Sequence, residues 1–241
     1  MKTQNTKTEE AEKPEEKEKT KEKDFVEVDF TARIKDGNIF DTTIKEEAKK
    51  VKLPAKNLKP LKICIGQDMV VKGFDEALRE KEINKEYTIE ILPEKAFGVR
   101  DPKLVKIIPL AFFIKKDINP VPGTILTMDS LLVRVISVSS GRVLVDFNNP
   151  LAGKIVEYDF KITKKITDKK EKLLCLAEFF FGKSSLVEEK GKNIIETEKD
   201  FFKEIIKKFK EKVENLLHIN VDVRKKQESK KKEKLEKKES G

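Results

Sequence analysis

The sequence predicts an α+β fold, in which an antiparallel half-barrel sheet wraps on a short helix and carries two further domains. Three observations support this fold class. Short segments alternate apolar and polar residues between turn residues, which is the period of β-strands. Roughly 60 residues separate the third of these segments from the fourth, too many for a bare loop in a compact domain. Beyond about residue 166, apolar residues recur at the three-to-four spacing of helices.

The predicted sheet is built from four of these segments. The first ends at the hairpin signal Asp36-Gly37, and the third is stopped by Pro93. Asp68 can cap a short helix over about residues 69–80. We expect strands over residues 25–34, 61–65, 87–91 and 158–162.

The long gap between the third and fourth strands contains short β-rich segments punctuated by turns, such as residues 131–138 and 143–147. It therefore predicts a small inserted β domain, residues 99–148. The chain then re-enters the sheet domain, whose two parts are residues 25–98 and 149–166.

The C-terminal part of the chain, residues 167–224, predicts a separate α+β domain. One helix is expected around residues 173–180, and a second, more amphipathic helix follows Thr197. Residues 218–224 alternate and suggest a closing strand. The apolar stripe of the second helix is either core or a dimer seam. It consists of Phe202, Ile205, Ile206, Phe209, Val213 and Leu216.

Charge is concentrated at the two ends of the chain. Charged residues make up 40% of the 241 residues, and the formal net charge is +9. Residues 1–24 and 225–241 are rich in Lys and Glu and have too few apolar residues to form a core, so both are predicted to be charged tails, the first of them flexible. The charge between them is too diffuse to indicate a nucleic-acid surface.

Several classes of protein are disfavoured by what the sequence lacks. Cys64 and Cys175 are the only cysteines, form no CxxC motif and are predicted to be reduced. No signal peptide and no run of about 18 apolar residues is visible, which predicts a cytoplasmic protein without membrane contact. A single histidine and the lack of a Ser-His-Asp pattern or a Gly-rich phosphate loop disfavour metal, cofactor or nucleophilic chemistry.

Three motifs together indicate a concave apolar pocket with one polar handle. They are residues 37–43, 65–78 and 93–98. The first contains the pair Phe40-Asp41, in which Asp41 is the single acid among hydrophobic residues. In this order the motifs resemble the FKBP family of peptidyl-prolyl cis-trans isomerases, in particular its SlyD-type and long archaeal members. The matched core covers roughly residues 25–98 and 149–164.

The resemblance implies which residues form the catalytic pocket. Asp41 is the polar member, Phe74 is the floor, and Val71 lies where a substrate carbonyl would meet a backbone N–H. No cofactor and no metal is implied. The implied catalytic set is Phe30, Phe40, Asp41, Leu61, Val70, Val71, Phe74, Phe97 and Tyr158.

Such a pocket needs no nucleophile. An X–Pro bond rotates over a barrier of ~18–20 kcal/mol because the amide is resonance-stabilised. The twisted transition state has lost that resonance and much of its dipole, so water solvates it less well than the planar ground state. A dry aromatic pocket therefore favours the twisted form by differential binding.

The chain departs from the family pattern at several positions. Phe30 and Phe97 lack a tyrosine hydroxyl, and because such a hydrogen bond is worth ~0.5–1.5 kcal/mol, macrolide binding is less expected than isomerisation. Phe74 replaces a larger Trp, and Asn149 stands where SlyD-type relatives often have His. The His- and Cys-rich metal tail of SlyD is absent, so nickel binding is not expected.

The inserted segment resembles the insert-in-flap domain of those relatives, which captures unfolded chains. Apolar residues between 104 and 114 exceed what a β domain of about 50 residues can easily bury, so they are either core or a chaperone surface. The implied partners are unfolded or nascent polypeptides that contain X–Pro bonds.

Two alternatives stay open at this point. A non-catalytic holdase or assembly platform would keep the fold but would not accelerate isomerisation. A ribosome- or nucleic-acid-binding protein would use the Lys-rich ends and bind in a salt-sensitive way. The resemblance to the long archaeal members also implies that residues 167–224 mediate a homodimer or further chain binding.

Overall fold

The computed structural model describes residues 18–55, 58–128, 131–189 and 191–226. Within these residues the chain forms a five-stranded, a four-stranded and a three-stranded sheet, with helices packed on each. The outer parts of the two predicted tails, residues 1–17 and 227–241, lie outside the described residues.

The described residues form twelve strands and five α-helices. The strands are β1 (Phe25–Ile34), β2 (Ile39–Thr42), β3 (Leu61–Cys64), β4 (Glu86–Ile91), β5 (Val105–Pro109), β6 (Ile125–Met128), β7 (Leu131–Ser139), β8 (Arg142–Asp146), β9 (Val156–Ile166), β10 (Ser184–Glu189), β11 (Lys192–Thr197) and β12 (Val221–Lys225). The helices are α1 (Lys45–Lys50), α2 (Lys72–Ala77), α3 (Leu110–Ile114), α4 (Lys169–Phe181) and α5 (Lys203–Leu217).

The five-stranded sheet is antiparallel and has the order β2-β1-β9-β4, with β3 paired to the first half of β1. β9 therefore lies inside the sheet, although it follows the insertion in sequence. Inward residues of β1 and β9 alternate with outward ones and pack on α2. The predicted α+β fold class and the four predicted strands are confirmed, and β9 is longer than residues 158–162 because the alternation continues to Ile166.

The helix inside this sheet is shorter than predicted and starts elsewhere. It begins at Lys72, after Val71, whose backbone is extended. Asp68 does not cap it, because a φ of 55° places this residue in the left-handed region within the preceding turn. Asp75 instead holds that turn, since its carboxylate accepts the Gly66 N–H at 2.9 Å.

The four-stranded sheet lies within the predicted insertion and has the antiparallel order β5-β8-β7-β6. Its core is small and lies on one face, where α3 covers the sheet. The buried core residues are Phe113, Val133, Val135, Val143 and Val145. The opposite face carries exposed side chains.

The C-terminal part combines α4 and α5 with the sheet β10-β11-β12. β10 and β11 are antiparallel, whereas α5 crosses over and places β12 parallel to β11. Both predicted helices are present, but Thr197 ends β11 and Phe202 precedes α5 with 80% of its surface exposed. Phe202 therefore does not belong to the buried stripe of the helix.

The C-terminal helices share a hydrophobic core with one end of the five-stranded sheet. Phe25, Cys64 and Ile166 from the sheet are buried in the same cluster as Cys175 from α4 and Phe209 from α5. Both cysteines are free thiols, and burial raises the pKa of each to about 12. The sheet and the C-terminal helices are thus joined by apolar packing at this end.

Residues 19–24 are held against the sheet domain. Lys19 pairs with Glu82 in an isolated bridge. Thr20 is buried, and its hydroxyl donates to the Leu78 carbonyl at 2.6 Å. The predicted tail, residues 1–24, therefore ends too late in the sequence. Nothing in this charged segment indicated that the Thr20 hydroxyl would be buried.

Leu176→Ala tests the shared core. Leu176 is fully buried in it, so we expect the free energy of unfolding to fall by about 2–5 kcal/mol. Because the core joins both parts, we expect one transition in urea, followed by circular dichroism. Leu92→Ala removes a side chain that is 59% exposed and should change the free energy by no more than about 0.5 kcal/mol. Separate transitions for the five-stranded sheet and the C-terminal helices in the parent would contradict the shared core.

Candidate active site

The inner face of the five-stranded sheet carries a cluster of aromatic rings. Strand alternation places Phe30, Tyr158 and Phe160 on this face, with Phe30 opposite Phe160. Ala32 lies opposite Tyr158, and its small side chain leaves room for the ring. Phe74 of α2 stacks on Tyr158 with ring centroids 4.5 Å apart and meets Phe160 edge-on at 5.3 Å. These rings form a closed aromatic floor.

Phe40 and Phe97 form the more open rim of this cluster. Phe40 is the extra residue of a β-bulge in β2, because successive residues of β1 pair with Asp41 and Ile39. A bulge re-aims a side chain, and here Phe40 meets Phe97 edge-on at 5.6 Å and Tyr158 at 6.3 Å. Both rim rings are only partly buried, so they leave an accessible aromatic surface above the floor.

Two threonines fix the bulged strand on β1. The Thr42 hydroxyl donates to the Phe30 carbonyl at 3.0 Å and lies 2.9 Å from the Thr31 hydroxyl. The Thr43 hydroxyl oxygen accepts the Phe30 N–H at 2.9 Å. These bonds satisfy the backbone groups of Phe30, which lies just beyond the last residue pair of β1 and β2.

An aliphatic wall completes the cluster. Leu61, at the start of β3, and Val70 and Val71, before α2, are partly buried against the rings. Gly73 lets α2 lie close to β4, because a Cβ at this position would come within 2.3 Å of Cγ2 of Ile91. The helix that carries the floor residue therefore needs glycine for its close approach to the sheet.

The loop that leads to Val70 is anchored by the C-terminal helices. Met69 packs against both the aromatic cluster and the shared core. The Cys64 N–H points to the Met69 sulfur at 3.2 Å, and the Lys212 ammonium of α5 donates to the Gln67 carbonyl at 2.9 Å. The C-terminal domain thus contacts the segment that forms the wall of the pocket.

The turn that carries Phe97 is fixed at both ends. Gly98 has a φ of 81°, which favours glycine, and its N–H donates to the Pro93 carbonyl at 2.7 Å. The Gly98 carbonyl accepts the Gly153 N–H at 2.8 Å. The rim of the pocket is therefore tied to the segment through which the chain re-enters from the insertion.

Asp41 is the acid that adjoins the rings from β2. Its side chain is exposed along one side, yet desolvation by the apolar surroundings raises its pKa, an effect that the Thr42 N–H partly opposes. Burial, and then the negative charge of Asp41, raise the pKa of Tyr158 to about 12. The phenol therefore keeps its proton, and the two groups are electrostatically coupled.

Every residue of the catalytic set predicted from the sequence lies in or beside this one cluster. Three are buried in it, five are partly buried against it, and Asp41 adjoins it from β2. Sequence reasoning missed Phe160, which lies beside Phe74, although its place two residues after Tyr158 on the same strand was a usable signal. The cluster also has a phenol hydroxyl, supplied by Tyr158.

The part of the chain that the structure describes contains neither a cluster of metal ligands nor a membrane-spanning helix. There, no group of three or more His, Cys, Asp and Glu side chains could hold a metal ion. Nor is any of the described helices long and apolar enough to cross a membrane.

Two protein-family models match the chain. The model of FKBP-type peptidyl-prolyl cis-trans isomerases matches residues 16–115, which contain most of the aromatic cluster. The model described as the IF domain of FKBP26 matches residues 106–151, which contain most of the four-stranded sheet.

Relatives agree with these models. A short-type peptidyl-prolyl cis-trans isomerase of Methanocaldococcus jannaschii is 34% identical over 141 residues, which are 58% of this chain and 89% of that protein. A probable FKBP-type 16 kDa isomerase of Pseudomonas fluorescens is 29% identical over 57% of this chain and 85% of its own length. The SlyD isomerase of Aeromonas hydrophila is 28% identical over 58% of this chain and 60% of its own. The chain belongs to the FKBP-type peptidyl-prolyl cis-trans isomerase family.

The titration of Asp41 tests the electrostatics of the site. Because desolvation raises its pKa in the folded protein, the protonated form stabilises the fold below the unfolded pKa of about 3.9, and this stabilisation is lost as pH rises through the folded value. We expect the carboxyl midpoint, measured by carbon-13 NMR, to lie above about 3.9. We also expect Asp41→Asn to raise the free energy of unfolding at neutral pH, with a gain that shrinks in acid.

Asp36→Asn is the matched control, since Asp36 is exposed in the β1–β2 turn and Asn tolerates its positive φ. It should change the free energy of unfolding by no more than about 0.5 kcal/mol. An Asp41 midpoint at or below the ordinary value would show that the rings do not desolvate this carboxyl.

Proposed function

We propose that this protein accelerates cis–trans isomerisation of X–Pro bonds in unfolded polypeptides and holds those polypeptides on its inserted domain. The observation that carries the proposal is the convergence of the rim, floor and wall residues on one aromatic cluster, which Asp41 adjoins from β2. The pyrrolidine ring of a substrate lies on the Phe74–Tyr158 floor, between Phe40 and Phe97. This position shields the imide from water on several sides.

Catalysis follows from the low polarity of this cleft. The rotating imide loses resonance and dipole in its twisted form, so an apolar surface stabilises that form more than the planar one. Among the described residues the Val71 N–H donates to no group, so it is free to bind a substrate carbonyl. This bond orients the chain while the proline ring stays in the apolar part of the cleft.

Asp41 and Tyr158 are the polar members of the site. Neither Phe30 nor Phe97 has a hydroxyl, so Tyr158 supplies the phenol donor next to the floor. Its pKa of about 12 keeps the proton on the oxygen at neutral pH. Asp41, at the edge of the cleft, orients this phenol electrostatically and is open to the substrate side.

Phe97→Ala and Asp41→Ala test the pocket. We expect each to lower kcat/KM on a proline tetrapeptide by on the order of tenfold, equivalent to about 1.4 kcal/mol of transition-state stabilisation. A protease-free assay measures this loss. Phe112→Ala is the control, because Phe112 is 37% exposed on the inserted domain and should leave turnover unchanged. Equal turnover by the parent and both pocket variants would refute the assignment, and an inactive parent would favour the holdase alternative.

The inserted domain presents an apolar face for polypeptide capture. Of the apolar residues between 104 and 114, Phe113 is buried, whereas Ile107 is 63% and Ile114 is 66% exposed. The strand registers place Ile107 on the sheet face opposite the small core. A contiguous exposed apolar face of this kind is typical of protein-binding sites. We name it the capture face and define it as Ile107, Ile125, Leu132, Ile136 and Leu144.

Ile107→Ser combined with Leu132→Ser tests the capture face. We expect catalysis of a proline-limited refolding reaction to fall by roughly tenfold, because the face raises the local substrate concentration at the pocket. Tetrapeptide turnover should not change. Ile114→Ser with Leu104→Ser removes two exposed apolar side chains of the same domain outside this face and is the matched control. Equal refolding rates for both double variants would contradict the capture role.

Three further predictions concern partners and location. Residues 167–224 are proposed to support a homodimer, and Phe179 and Phe202, which are 46% and 80% exposed, offer apolar surface for it. Contact of the Lys-rich C-terminal end with ribosomes and a cytoplasmic location stay predictions from the sequence.

A further inference from the structure

A cleft of about 450 Å³ lies where the inserted domain meets the sheet domain, apart from the aromatic cluster. Arg134 of β7 lines it from the inserted domain. Asn149 and Lys154 line it from the segment where the chain re-enters the sheet domain, and Arg100 lies where the chain leaves it. No step of the proposed isomerisation uses these residues.

The side-chain acceptors of this cleft are already occupied. One oxygen of Asp146 accepts Arg100 Nε and Nη2 at 3.1 and 2.8 Å, and the other accepts two N–H groups of Asn148 at 3.0 and 2.7 Å. The Asn148 amide oxygen accepts the Asp101 N–H at 2.8 Å. The Asn149 amide oxygen accepts a backbone N–H at 2.8 Å. The side chains therefore offer a ligand almost no acceptor.

Donors in the cleft are available. Within the described residues, the side chains of Arg134 and Lys154 take part in no hydrogen bond or ion pair, and the Asn149 amide nitrogen is likewise unbonded. The cleft is lined by three cations, Arg100, Arg134 and Lys154, and by the Asp146 carboxylate. The lining therefore carries a net charge of +2. An anion with several acceptor oxygens is the complementary ligand, and a carboxylate matches the planar guanidinium fork.

The position of the cleft indicates where such an anion comes from. β7 carries Arg134 on the same face as Leu132, which belongs to the capture face. On the other side, Gly153, the neighbour of Lys154, bonds to Gly98 at the rim of the aromatic pocket. The cleft, which Ile136 of the capture face also lines, therefore adjoins both the capture face and the segment that is bonded to the pocket rim.

We propose that this cleft binds an acidic side chain of the client polypeptide, with Arg134 and Lys154 as specificity-determining residues. The inference rests on the proposed function and adds a substrate preference to it: X–Pro segments with nearby Glu or Asp bind more tightly. A phosphate of RNA could satisfy the same donors. The location between two apolar polypeptide-binding surfaces favours the acidic peptide.

The test uses three fluorescent peptides that share apolar anchors and one X–Pro bond. They differ only in flanking Glu, Gln or Lys residues. We expect fluorescence anisotropy to show the Glu peptide binding about fivefold more tightly than the Gln peptide, as partly exposed ion pairs would give, and the Lys peptide more weakly than both. The difference should shrink at high salt because screening weakens these pairs.

Arg134→Gln combined with Lys154→Gln assigns the preference to the cleft. We expect this variant to bind the Glu and Gln peptides equally and the Gln peptide as tightly as the parent does. Arg142→Gln with Lys103→Gln removes the same two charges from exposed positions outside the cleft and should keep the preference. Circular dichroism checks that both variants are folded.

Three outcomes overturn the inference. The parent binds Glu and Gln peptides equally, the control variant loses the preference as well, or the cleft variant loses affinity for single-stranded oligouridylate but not for the Glu peptide. The last outcome assigns the cleft to nucleic-acid phosphate. The proposed function fails separately, when the parent does not turn over a proline tetrapeptide. Normal turnover of the tetrapeptide without a preference for the Glu peptide would refute this inference and leave the proposed function intact.

Discussion

The stacking of Phe74 on Tyr158, with ring centroids 4.5 Å apart, is the contact on which the rest of the site depends. It joins α2 to a strand inside the sheet. Tyr158 also meets Phe30 and Phe40, so residues from three other elements converge on this ring of β9. α2 has only six residues and no side-chain cap, and a helix this short is not stable by propensity. Its position, and with it the wall of the pocket, depends on this aromatic packing.

The two additional domains are attached to the pocket by different forces. β9 carries Tyr158 in the aromatic cluster and, at its end, Ile166 in the core shared with the C-terminal helices. From that core, Met69 and Lys212 reach the loop that forms the pocket wall. The insertion has a hydrophobic cluster of its own, and at its base the two segments that enter and leave it are held together by polar contacts, such as those of Asp146 with Arg100. Exposed ion pairs contribute little, so this junction is the weaker one.

The base of the insertion lies between the aromatic cluster and the capture face, which are proposed to recognise different features of a polypeptide. In the proposed function, the aromatic cluster selects for the shape and low polarity of a twisted imide. In the proposed function, the capture face selects for apolar segments. The cleft that adjoins both surfaces is rich in unbonded donors, and we propose that it binds acidic side chains of the same polypeptide. In the proposed function these three surfaces bind one extended polypeptide, and binding at one surface raises the local concentration of that chain at the others.

Sequence-based predictions failed where contacts distant in sequence override a local pattern. Asp68 has the residue type of an N-cap, but the turn before α2 is held by Asp75. Phe202 fits the stripe of α5 but lies before the helix. By itself the sequence determined four strands of the five-stranded sheet and the two C-terminal helices, because period and turn chemistry are written along the chain, and the resemblance of its motifs to the family implied most of the residues that meet in the aromatic cluster. Only the tertiary structure decided that a bulge aims Phe40 and that α5 reaches a loop 145 residues away, since register and long-range packing have no local signature.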